Sequence, residues 1–134
     1  PVSAEQSDQS LLVVMNNNAE VDSLSQKQVM SLFLGRAKFL PSGGKVRAID
    51  FPLKSMTRAE FYQTLTGKNI ADIDAYWARL SYSGRATPPL EMSGSEEIIK
   101  LLSQQESVIA YLPADYEQQL AAAGLKTVLT MRRD

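Results

Sequence analysis

The stretch VRAIDFPLKSMTRAEFYQTLT, Val46 to Thr66, decides how the whole chain is read. Val46 to Ile49 predicts a short strand, Asp50 to Lys54 a polar loop, and the residues from Ser55 to Arg58 the opening of a helix. Thr57 and Glu60 have capping-box spacing, in which the hydroxyl and the carboxylate each satisfy an orphan amide. A strand that feeds a helix N-terminus through a hydroxyl-bearing loop is one way to hold a small oxyanion. The first-turn amides lack helical partners, and the helix dipole favours negative charge there. Ser55 and Thr57 offer hydroxyls, while Lys54 and Arg58 offer positive charge. The plainer reading of the same residues is a capped helix flanked by solvated cations.

Composition removes several function classes. The chain has 134 residues, enough for one domain with a real core. It is 44% hydrophobic and 22% charged, as an ordinary globular protein is. A net charge of -1 gives no basic excess for nucleic acid. Histidine and cysteine are both absent. Ser-His-Asp and Cys-His nucleophile systems are therefore impossible, and zinc sites, which lean on those two residues, are not expected. No recognisable carboxylate constellation replaces them, so no catalytic residues, metal or cofactor are assigned. No apolar run has the length of a membrane span.

Taken in order, the chain alternates strands and helices. Residues 1–10 are polar and read as a flexible N-terminal tail, leaving 11–134 as a single domain. The chain opens on Pro1, which suits a processed form. Leu11 to Met15 is a continuous apolar run, expected of a strand covered on both faces, and Asn16 to Asn18 form the turn after it. Ser25 and Gln28 make a capping box for a helix with a Val29, Leu32, Phe33 stripe, ended by Gly35. Phe61, Tyr62 and Leu65 form the buried side of the next helix, which Gly67 stops. Asn69 caps a third helix whose stripe is Ile70, Ile73, Trp77 and Leu80, ended by Gly84. Ser93 or Ser95 caps a fourth, with Glu96 and Glu97 in its first turn. Pro113 suits the first turn of a fifth, carrying Tyr116, Leu120 and Ala123. Strands are expected near 11–15, 46–50, 108–112 and 126–131. The expected class is α/β, with a mostly parallel sheet and helices on both faces. Sites in such sheets lie beyond the carboxyl ends of strands, which puts Asn16, Asp50 to Arg58 and the residues after Leu112 near one rim.

Four stretches also resemble a known family. Ser55-x-Thr57-Arg58-x-x-Phe61 resembles the G-S-G-T-R-x-x-F loop of the phosphate-binding proteins of ABC phosphate transporters (PstS-like). Val13 to Gly35, Ala75 to Pro89 and Val108 to Pro113 are similar to further segments of that family, in its order. The resemblance implies a periplasmic-binding-protein-like type II fold, as a single lobe. It implies an extracytoplasmic, non-catalytic solute-binding domain for phosphate or a similar oxyanion. The implied partners are an ABC transporter permease or a second copy of the chain, with a signal peptide already removed. The oxyanion set it suggests is Ser55, Met56, Thr57, Arg58, Arg85, Asn16 and Asp50. Both loop glycines are replaced, by Lys54 and Met56, which put side chains where the anion would lie. The alternative is an interaction module that keeps the fold and has lost the ligand.

Overall fold

Six consecutive residues, Leu11–Asn16, form strand β1, and all six are buried. A strand loses both faces to the interior only where helices cover both sides of its sheet. The chain is described here from a computed structural model, covering residues 10–84 and 86–132. Arg47–Asp50 is β2, Leu90–Glu91 β3, Val108–Pro113 β4 and Leu125–Met131 β5. They form one sheet of order β3-β2-β4-β1-β5. The two-residue β3 was not expected; it is too short to leave a pattern in the sequence.

Strand β2 pairs in parallel with β3 and β4, whereas β1 is antiparallel to both β4 and β5. All strands but β1 therefore share one direction, as a mostly parallel sheet would have it, but β1 lies inside the sheet, so two of the four pairings are parallel and two antiparallel. Between β1 and β5 the register shifts at Val13 and Val14.

The helices form where capping and periodicity place them. Helix α1, Gln26–Phe33, has the Ser25–Gln28 capping box and buries Val29, Leu32 and Phe33. Gly35, at φ 76°, turns the chain out of it. A Cβ there would lie 2.7 Å from the Trp77 ring and 3.1 Å from Ala86, so only glycine allows this close approach. Helix α2 is Met56–Thr66 and helix α3 is Ile70–Ser83, the latter capped by Asn69. Of the α3 stripe, Ile73 and Trp77 are buried and Ile70 and Leu80 pack at the core's margin. Helices α4, Ser95–Gln104, and α5, Glu117–Ala122, complete the layers.

Three local expectations are corrected. The cap of α2 is Ser55, whose side chain accepts from the Arg58 amide, so Thr57 lies inside the helix and the Thr57–Glu60 box does not start it. At α4 the cap position is Gly94, without a side-chain cap bond, so neither Ser93 nor Ser95 caps it; Glu96 and Glu97 meet the dipole instead. Pro113 ends β4, and a 3-10 turn, Ala114–Tyr116, separates it from α5.

Candidate functional site

At the carboxyl end of β2 the chain buries an ion pair. Asp50 closes the strand and Arg58 sits in the first turns of α2; their relative exposures are 5% and 4%. The Arg58 Nε lies 3.4 Å from Asp50 Oδ2, and its Nη1 lies 2.9 Å from Asp74 Oδ1 on α3. The Nη1 contact is an ion pair that lacks hydrogen-bond alignment. The guanidinium also lies over the Tyr62 ring, 5.3 Å from its centroid. One cation thus serves two carboxylates and an aromatic face.

Asp50 is equally committed. Tyr62 donates its hydroxyl to Oδ2 at 2.8 Å, and Tyr111 on β4 donates its hydroxyl to Oδ1. The Phe51 amide adds a donor to Oδ1 at 2.9 Å. A buried carboxylate needs such a full set of partners to offset its desolvation. Burial raises the ionisation of Tyr62 and Tyr111 well above the ordinary tyrosine range, and the neighbouring Asp50 raises both further. Both phenols therefore stay protonated and donating at any physiological pH. For Arg58, burial alone would lower the pKa, but Asp50 and Asp74 outweigh it and hold the group above its ordinary value.

Aromatic rings wall this network from the core. Phe61 stacks on Tyr111 with centroids 3.6 Å apart, and Phe33 meets both rings edge-on. Outward, the network faces a cleft of about 460 Å³ lined by Asp50, Arg58, Asp74, Trp77, Pro88 and Glu91 among others. The described acids of that lining outnumber Arg58, so the cleft is electronegative. An oxyanion placed there would meet net repulsion.

The expected site residues divide accordingly. Ser55, Arg58 and Asp50 come together, with Ser55 acting as the cap. Met56 points its side chain to solvent, 77% exposed, and Thr57 follows it in the first turn. Arg85 lies outside the described residues. Asn16 does not join the rim. Because β1 runs against β4, the end of β1 lies beside the start of β4, at the opposite edge from Asp50. Asn16 instead donates to the Leu102 carbonyl of α4 at 2.9 Å and accepts from the Asn18 amide. Tyr62, Tyr111 and Asp74 were not singled out for the site by the sequence. Tyr62 and Tyr111 sit in apolar segments where a phenol reads as core.

No family model and no curated protein matches the chain. Solved structures do. PstS from Borrelia burgdorferi superposes with a TM-score of 0.69 at 11% identity, over 96% of this chain and 53% of that one. The fold is that of PstS-like phosphate-binding proteins. A phosphate ABC transporter substrate-binding protein with bound phosphate from Clostridium perfringens gives 0.60 at 12% identity, over 100% of this chain and 63% of that one. A possible phosphate-binding protein from Planctomyces limnophilus gives 0.64 at 12%, covering 91% and 42%. This chain spans about half to two-thirds of the length of these PstS-like structures, or less. Among the described residues, no helix is long and apolar enough to cross a membrane, and no acidic cluster is arranged to hold a metal ion.

Proposed function

We propose that this chain is a non-catalytic, extracytoplasmic binding module on the solute-binding fold, in which the phosphate loop is closed by internal pairing. Its work is to engage a protein partner, either a transporter component or a second copy of the chain. One observation carries the reading: Arg58, the cation of the resembling loop, is 4% exposed and held by Asp50 and Asp74. A guanidinium committed to two carboxylates has little to offer an incoming oxyanion. Two of the structural neighbours are named for phosphate binding, one of them as part of a phosphate transporter, which supports the binding class.

A second reading keeps the oxyanion, and a specific feature favours it. The first-turn amides of Met56 and Thr57 donate no hydrogen bond to the described residues, and Met56 leans into solvent. Such amides can hold an anion without Arg58. Titration calorimetry with phosphate and sulfate separates the two, using the wild type and Met56→Gly, which reopens close backbone approach. The expected outcome is no binding by either protein at millimolar concentration. Phosphate binding that strengthens in Met56→Gly would return the chain to the solute-binding class.

A further inference from the structure

A second cavity, of about 420 Å³, lies at the other end of β2. Its described lining carries Lys38, Lys45 and Arg47 and no acid. Leu32, Val46 and Pro89 contribute apolar wall. Thr87 and Ser107 add hydroxyl groups. The volume falls in the range of small-molecule sites, and a mostly apolar wall with a few polar groups is their usual make-up.

The fold builds this cavity from rigid parts. The Lys38 carbonyl accepts from the Val46 amide at 2.9 Å, which closes the loop bearing both lysines. The Phe39–Lys45 bridge supports the same loop. The Arg47 amide donates to the Ser107 carbonyl at 2.9 Å, fixing the strand edge. The Arg47 Nη2 donates to the Pro88 carbonyl at 3.2 Å, tying the segment before β3 across the cavity. Neither Lys38 nor Lys45 has a side-chain hydrogen bond or ion pair with the described residues. Their charges are therefore not spent within the described fold, in contrast to Arg58.

We propose that this cavity binds a small organic anion, a carboxylate or phosphate ester with an apolar body. The anionic group lies against Lys38, Lys45 and the free guanidinium nitrogens of Arg47. The apolar body lies on Leu32 and Val46. This site is separate from the loop at Ser55, and its occupancy does not depend on how that loop behaves.

Titration calorimetry with phthalate, phenyl phosphate and uncharged dimethyl phthalate tests it. Phthalate or phenyl phosphate should bind, and dimethyl phthalate should not. The relative strength of the two anions tells a carboxylate ligand from a phosphate ester. The double variant Lys38→Glu/Lys45→Glu should weaken the binding about tenfold or more while its thermal melt stays near that of the wild type. Ser55→Ala should leave the affinity unchanged, which separates this site from the oxyanion loop. Equal binding of dimethyl phthalate, or full affinity after charge reversal, would overturn the proposal. So would an acidic hexapeptide that binds where both small anions fail, or silence from both anions at millimolar concentration.

Discussion

The two ends of β2 hold opposite charge within one four-residue strand. At its carboxyl end the charges are buried, and each has found a partner inside the protein: Asp50 with two phenols, an amide and Arg58, and Arg58 with Asp74. At its amino end Lys38, Lys45 and Arg47 are exposed, and of these only Arg47 has a side-chain hydrogen bond within the described residues. Buried, paired charges take part in folding, because removing one strands the other in a low-dielectric interior. Exposed charges take little part in folding and stay available to solutes. Stability should therefore respond to mutation at one end and ligand binding at the other.

Asp50→Ala gives the sharpest separation. It leaves a buried guanidinium and two phenols without their shared acceptor, and should cost about 3–5 kcal/mol. Urea melts read this directly. A loss below about 1 kcal/mol would mean that the network is not structural and that the contrast between the two ends fails.

Alkaline pH probes the same end without mutation. Tyr62 and Tyr111 ionise well above the ordinary range in the fold, but near pH 10 once unfolded. The stability they contribute is whole below about pH 10. Above it the unfolded chain releases two phenol protons that the folded chain keeps. Stability should then fall by about 2.7 kcal/mol per pH unit from these two groups until their folded-state ionisation is reached. Chemical melts from pH 8 to pH 11 measure the slope, and Tyr62→Phe should roughly halve it. An unchanged slope in that variant would remove Tyr62 from the account.

Ser55→Ala should cost about 1 kcal/mol, the usual worth of an N-cap. Thr57→Ala, inside the helix, should cost less, and the reverse order in thermal melts would restore Thr57 as the cap. Smallest of all, Lys38→Ala and Lys45→Ala should each change stability by within about 0.5 kcal/mol. A larger loss would show that the amino end is also part of the folding machinery.

Much of the fold was legible because its signals are local. The apolar run of β1, the Ser25–Gln28 box, and Asn69 ahead of the Ile73 and Trp77 stripe each define an element within a few residues. The direction of β1 was not legible. A strand buried on both faces looks the same in sequence whichever way it runs, and the error carried Asn16 to the wrong rim. The α2 cap was ambiguous because Ser55 and Thr57 both offer a hydroxyl at the helix opening, and only the backbone path decides between them. The fate of Arg58 was beyond local reading. Its burial depends on Asp74 from a different helix, and the acidity around it on a Tyr111–Asp50 pair separated by 61 residues. No window of sequence holds those partners together.

The Gly35 turn has a spectroscopic use. It lets the Trp77 indole approach the chain where Gly35 and Ala86 line the basic cavity, while the same residue also lines the acidic cleft. The indole thus sits beside Gly35 at the wall of the acidic cleft, and its N–H has no hydrogen-bond partner among the described residues. It is also the chain's only tryptophan. Intrinsic tryptophan fluorescence therefore comes from one buried chromophore beside the acidic cleft. A solute entering that cleft changes the polarity beside the ring, so emission wavelength is a label-free gauge of its filling.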